Sequence, residues 1–416
     1  MLDLSEFYEA FPYPPRDPEA EVPGKTRTVA NDLRTISHYL YAGERTDFRG
    51  FRALVAGGGT GDVTVQLAQQ LATIAPDAQV TQVDLSAAST AIAKRRIEKL
   101  GLSNVRFVQG SLLDPMGLGL DSFDYIDCSG VLHHLPDPLE GARILASLLK
   151  PNGGMSIMLY GALGRVGIYN TQEMLRMLGS RERDLSPMLD VTRALLASLP
   201  DHHLLRLSPG HAAPDQDDAE LVDKFLHVRD RAYRVAEIYD LLSAAGLRLA
   251  AFLPPIAYDP LRAIADPVLQ EHITELSEPQ RHAFAELFHC GPMKHIFFAV
   301  PIARSGCTVA DPDDLDLVPA TVRDLPSDLR PTTAIRLGGL VQQELRGLDV
   351  AIVCAIDGRR SVRDIFSQLS SKPATRTTEE IYRKAWTKVF HALNGRHILV
   401  LTRKPLIDGI SPGSVL

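Results

Sequence analysis

The sequence is poor in the residues that build cross-links, metal cages and membrane spans. Four cysteines stand in 416 residues, at Cys128, Cys290, Cys307 and Cys354, and none forms a C-x-x-C pair. That spacing excludes a disulfide framework and a structural zinc site, and a reduced, cytoplasmic setting is expected. Asp201, His202 and His203 are adjacent but have no further ligand at zinc spacing, so no metal is expected there. No apolar run approaches the length of a membrane span, and the segment Met1–Glu6 is acidic where a leader would be apolar. Nor is there a long basic run to offset a net charge of −7, so neither membrane nor nucleic acid is an expected partner.

What is present is glycine in one place. Leu54-Val55-Ala56 runs into Gly57-Gly58-Gly59-Thr60-Gly61-Asp62, and apolar residues resume at helical spacing with Val63, Leu67, Leu71 and Ile74. The stretch reads as strand, tight turn and helix. Glycine admits positive φ and leaves bare backbone, and the helix that follows points free N–H groups into the same space. A second apolar strand, 79–84, ends on Asp84, where a carboxylate can accept both hydroxyls of a ribose. The dinucleotide pattern G-x-G-x-x-G requires glycine at position 62. Asp62 stands there and opposes a pyrophosphate at the helix N-terminus, which favours a nucleoside cofactor without phosphate.

From residue 51 the signals alternate: strand 51–56, helix 62–74, strand 79–84, helix 89–100, strands 105–109 and 123–128, helix 138–149, strand 154–160. Later strands at 247–253 and 294–301, with helical material over 267–288 between them, complete an α/β fold with a doubly wound, seven-stranded, mostly parallel sheet. Residues 1–50 precede it as a lid segment whose Phe7–Pro18 stretch is stiffened by four prolines and carries Tyr8, Tyr13 and Arg16. Residues 161–245 are too long for a crossover and read as a helical cap over the carboxyl edge of the sheet, with helices at 171–178, 186–199 and 219–227. Tyr160 sits at the strand end where the cap begins, while Arg229 and Tyr233 are read as stabilising the cap. Residues 305–332, rich in Pro and Asp, read as a linker to a small, mainly helical domain at 333–416, with helices near 338–345 and at 350–356, 361–369 and 378–393 and a strand at 397–402.

The glycine turn, Asp84 and the stretch Ser129-Gly130-Val131-Leu132-His133-His134-Leu135-Pro136-Asp137-Pro138 together resemble the class I methyltransferases, whose cofactor is S-adenosyl-L-methionine. The resemblance covers about residues 1–303. It implies a domain at 51–304 in which Gly57, Gly58, Gly59, Gly61, Asp84, Leu85, Ser111, Leu112, Ser129 and Gly130 hold the cofactor. Two departures stand out: Val55 occupies the place of an acid before the glycines, and Ser111 stands where an Asp is common, with Asp114 nearby as either a substitute or a turn residue. For the reaction the resemblance points to His133 or His134, to Tyr160 and to Tyr13 as groups near the transferred methyl. The N-terminal Tyr-Pro element and the "SGVLHHLPDP" loop further resemble bacterial protein lysine methyltransferases, which implies a protein or peptide side chain, lysine among them, as acceptor. A small-molecule or natural-product acceptor is the alternative, and a catalytically silent scaffold acting through its C-terminus is a reading of another class. Residues 356–362 resemble a turn of winged-helix modules of the PqqD-like peptide-binding kind; DNA recognition, homodimerisation and capping of the core are the other uses of that module.

Overall fold

A computed structural model describes residues 8–180, 185–207, 213, 215–323, 335–337 and 340–406. Of the regions named above, residues 1–7 of the lid, 181–184, 208–212 and 214 of the cap, 324–334 at the end of the linker and start of the terminal domain, 338–339 and 407–416 lie outside the described residues.

Period-2 and period-3.6 stretches alternate along the chain, and they close into one twisted sheet. Strands β1 (Arg52–Ala56), β2 (Gln79–Asp84), β3 (Val105–Gln109), β4 (Phe123–Ser129) and β5 (Leu149–Gly161) come first, then a two-residue β6 (Ala232–Tyr233), β7 (Leu247–Leu253) and β8 (Lys294–Pro301). Their order is β3-β2-β1-β4-β5-β8-β7, with only β8 running against its neighbours. The expected seven strands are all present. The short β6 adds to them, pairing with the tip of β5 at Tyr160 and Gly161 and so stitching the cap to the sheet. Helices α1 (Leu33–Leu40), α2 (Asp62–Ile74), α3 (Ala87–Lys99) and α4 (Pro138–Ser147) cover the first half of the sheet. Three of them start on a side-chain cap: Asp32, Ser86 and Asp137 cap α1, α3 and α4, and Pro138 opens α4 where no N–H is needed.

Residues 8–31 form a strap across the glycine turn. The Tyr13 carbonyl accepts the Thr60 N–H at 3.2 Å, the Pro14 carbonyl accepts the Thr60 hydroxyl at 2.7 Å, and Glu9 accepts the first free N–H groups of α3. A buried ion network fastens the strap from below. Arg96 of α3 is fully buried and donates to Glu21 at 2.7 Å, to Asp62 at 2.8 Å, to the Thr60 carbonyl at 2.7 Å and to Thr26 at 2.9 Å, while Arg16 grips Asp62 with two nitrogens. Arg96 lies in the charged stretch 94–99, which by residue type alone reads as a solvated face, yet it is the centre of this network.

The cap has its own core. Helices α5 (Val166–Met177) and α6 (Leu185–Ser198) and the segment 218–226 bury Ile168, Leu175, Met188, Leu196 and Phe225, with Tyr8 and Phe11 of the strap packed against them. α7 (Val235–Ala244) returns the chain to β7, and α8 (Pro267–Thr274) and α9 (Glu278–Phe288) lead to β8.

The C-terminal region departs from expectation in two places. Residues 338–345 were expected to be helical; Gln343–Leu345 is instead strand β11, paired antiparallel with β10 (Ile335–Leu337). The 305–332 segment is not a plain linker, because Val318–Thr321 forms β9 against β12 (Leu399–Thr402), and Ala310, Leu315 and Leu317 join the core built on Trp386. Proline at 319 disguised the strand, yet an edge strand tolerates a missing N–H. Helices α10 (Leu348–Ala355), α11 (Val362–Ser370) and α12 (Glu379–Asn394) complete the module.

This module packs directly on α1. His38 accepts the Leu401 N–H at Nδ1 (3.0 Å), Asn394 donates to Tyr39 at 3.0 Å, Arg34 donates to the Thr321 carbonyl at 3.0 Å, and His397 meets the Val29 carbonyl at 2.9 Å. Burial pushes His38 down to about 3 and His397 to about 4, so both are neutral here at pH 7. The unfolded chain binds their protons near pH 6.5 while the folded chain does not. Stability therefore falls as pH drops from about 6.5 towards 4. Between pH 7 and 5 a loss on the order of 2 kcal/mol is expected from His38 alone. Urea midpoints of wild type and His38→Asn at the two pH values check this: the variant should show a shallower pH dependence.

Candidate active site

The carboxyl ends of β1, β2, β4 and β5, the strap and the cap enclose one cavity of about 510 Å³. Gly57, Gly58 and Gly59 follow β1 onto its wall, Asp84 and Leu85 follow β2, Ser111 and Leu112 follow β3, and Ser129 and Gly130 follow β4. Gly61 is not on the wall. With φ of 97° it is the N-cap of α2, and a Cβ there would lie 2.8 Å from the Ala93 methyl of α3, so its smallness serves helix packing. At Gly59, φ is 52° and a Cβ would lie 2.5 Å from the Tyr13 carbonyl oxygen, so glycine is demanded there by the strap as well as by any ligand.

Asp84 faces the cavity with its carboxylate fixed from behind. One oxygen accepts the Gly59 N–H at 2.6 Å and the other the Ser86 N–H at 2.8 Å, and burial raises its pKa. A second carboxylate shares the wall. Asp127 of β4 is 1% exposed, accepts from Asn31 at 3.1 Å and from Ser129 at 3.1 Å, and is pushed by burial up to about 6. Asn31 is itself oriented by the Tyr125 hydroxyl at 2.7 Å. Asp127 pairs in register with Val55 across β1 and β4, so the two share one face of the sheet, and both line the cavity. Ser111 spends its hydroxyl on the Leu113 N–H, and Asp114 accepts the Gly117 N–H at 3.0 Å and does not reach the wall, which decides for Asp114 as a turn residue.

The opposite end is built by strap, β5 and cap. Tyr8, Tyr13 and Tyr160 line it together with Glu220, Asp223 and Lys294. Tyr13 donates to Glu220 at 3.5 Å, and Tyr8 and Tyr160 each donate to one oxygen of Asp223 at 3.4 Å. Burial raises the pKa of all three phenols, with Asp223 next among the causes. The Tyr160 ring is held between the Arg165 guanidinium, 3.5 Å from its centroid, and the His133 ring at 3.9 Å.

Of the histidine pair, the structure places His134 on the wall and not His133. The 3₁₀ turn Leu132–His134 directs His133 inward, where it is 1% exposed, has no hydrogen-bond partner among the described residues on either ring nitrogen and is lowered far below the usual imidazole range by burial. It buttresses Tyr160. His134 donates from Nδ1 to the Arg229 carbonyl at 2.7 Å, and that bond leaves Nε2 unprotonated in the neutral ring. Arg16 meets the carboxylate of Asp62. No group of metal-ligating side chains occurs among the described residues.

A family model described as a methyltransferase domain matches residues 48–196. An uncharacterised protein of Synechococcus is 31% identical over 290 residues, 68% of this chain and 68% of that one. A ubiquinone biosynthesis O-methyltransferase of Xanthomonas euvesicatoria is 33% identical over 135 residues, 32% of this chain, and the chain spans 52% of that relative's length. The chain therefore carries a methyltransferase domain. The solved structure of PKMT2 from Rickettsia typhi in complex with AdoHcy shares this methyltransferase's fold, with a TM-score of 0.68 over 94% of this chain and 78% of that one, at 16% identity.

The methyltransferase's cavity suits S-adenosylmethionine on its own chemistry: a bare glycine turn after β1, with one acid on each of the two strands that flank it. Asn31, Asp127, Glu220, Asp223 and Lys294 are wall residues that the sequence reading passed over. A signal existed for one of them. Asp127 is one of two acids, with Asp124, inside the strand 123–128, a position that needs a partner or a purpose.

Proposed function

We propose that this methyltransferase carries the methyl group of S-adenosylmethionine to the side-chain amine of a lysine in a protein or peptide. The observation that carries the acceptor reading is the end of the cavity where three phenols meet Asp223 and Glu220, because cations are drawn to carboxylates and to aromatic faces alike. The cofactor, when bound, supplies an electrophilic methyl on a cationic sulfur. Asp84 would hold the ribose hydroxyls, and Asp127, with Asn31 behind it, would face the amino-acid end in place of the acid absent at Val55. Tyr160, fixed between Arg165 and His133, and Tyr13 on the strap would then border the path of the incoming nitrogen, aligning it and keeping water out.

The Xanthomonas relative, by its name an O-methyltransferase, supports a second reading in which the acceptor is a small hydroxylated molecule. Oxygen methylation requires a base, and His134 Nε2 is the imidazole nitrogen on the wall that is free to accept a proton. Incubating the protein with isotopically labelled S-adenosylmethionine and cell extract, followed by mass spectrometry of the protein and metabolite fractions, separates the two. Label on lysine residues of a polypeptide is the expected result. Label confined to small molecules contradicts the proposal.

A further inference from the structure

Asp223 is the most heavily equipped side chain in the cavity that no sequence motif accounts for. It sits in a short π turn, Val222–Leu226, an irregular piece of helix that re-aims its side chains and that recurs at functional sites. It is 6% exposed, faces the cavity, and burial lifts its carboxyl to about 6 against the pull of Arg165 and Lys294 and with the push of Asp230 and Glu220. Above that pH it is an anion.

The hydrogen bonds around it run in one direction. His227 accepts the Arg229 N–H at Nδ1 (3.0 Å), so in its neutral form the proton is on Nε2. Nε2 lies 3.2 Å from the Tyr8 hydroxyl and donates to it. The Tyr8 proton then points to Asp223 Oδ1, and Tyr160 supplies a second donor to Oδ2, both at 3.4 Å. Both phenols thus give a proton to Asp223, which favours its anion, although burial outweighs them and leaves the carboxyl above its ordinary range. It also joins three elements that are distant in sequence: the strap through Tyr8, the sheet through Tyr160 and the cap through Asp223 itself.

We infer that Asp223 is the specificity-determining group for the acceptor: its carboxylate, presented by Tyr8 and Tyr160, receives the cationic nitrogen of the substrate beside the transferred methyl. The inference rests on the methyltransferase reading of the cavity and adds to it the residue that selects an amine over a neutral hydroxyl. Sinefungin tests it without knowledge of the acceptor, since this cofactor analogue carries a primary amine where S-adenosylmethionine carries its methylsulfonium, while S-adenosylhomocysteine carries neither charge nor methyl there. Calorimetry at pH 8 should show the wild type binding sinefungin at least about 10-fold tighter than S-adenosylhomocysteine, as expected for one added charge-assisted contact. In Asp223→Asn the preference should vanish, with the affinity for S-adenosylhomocysteine retained. Should that variant fail to fold, Tyr8→Phe, which keeps the ring, should lower the preference several-fold, and the wild type's own preference should shrink between pH 8 and pH 5. A wild type that binds both analogues equally, or an Asp223→Asn that keeps the full preference, overturns the assignment. Failure of the wild type to bind either analogue overturns the cofactor reading beneath it, a distinct result.

Discussion

Asp84→Ala should lose about 100-fold in affinity for S-adenosylhomocysteine, the equivalent of ~2.7 kcal/mol. Two effects add. The carboxylate is the only acid at the tip of β2 and is positioned to accept two ribose hydroxyls, each a charge-assisted bond of about 1.5 kcal/mol or more. The same carboxylate ties the Gly59 and Ser86 N–H groups, so its removal also loosens the turn on which the cofactor would lie. Asp84→Asn should fall between, because the amide keeps one acceptor. Calorimetry of the three proteins gives the ranking, and an Asp84→Ala variant with wild-type affinity would remove Asp84 from the site.

The second large effect is on stability. Arg96→Ala deletes a fully buried guanidinium that links Glu21, Thr26, Asp62 and the Thr60 carbonyl. Glu21, 6% exposed, would keep only the Thr26 hydroxyl among the described residues, and breaking a buried pair from one side costs about 3–5 kcal/mol. The variant should also bind S-adenosylhomocysteine more weakly, since Thr60 holds the strap through both Tyr13 and Pro14. The urea midpoint and the calorimetric affinity report the two consequences separately. An unchanged midpoint would mean that the strap's ion network does not hold the fold together.

What could be read from the sequence was what is local. A glycine turn between a strand and a helix, and an acid at the next strand tip, are written in a few consecutive residues, and Gly57 to Gly59 do follow β1 while Asp84 ends β2. Asp127 was missed because its place depends on strand pairing: only the register of β1 with β4 sets it beside Val55. Asp223 was missed for the same reason at longer range, since its partner Tyr8 lies 215 residues earlier. The choice between His133 and His134 turned on the direction of a single 3₁₀ turn, which residue type does not encode. In the C-terminal module, 338–345 was read as helix from an apolar spacing too short to decide, and β9 hid behind Pro319 and an acidic flank. Arg96 looked solvated because its neighbours Arg95 and Glu98 are; its burial follows from the strap folding back over α3.

The central claim is that the cofactor lies across the glycine turn between two carboxylates on β2 and β4, the strands that flank β1. A crystal structure of the protein grown with S-adenosylhomocysteine measures it directly. The account predicts the ribose hydroxyls on Asp84 and the amino-acid end towards Asp127 and Asn31; density for the ligand anywhere else, or an amino-acid end pointing away from Asp127, would contradict it.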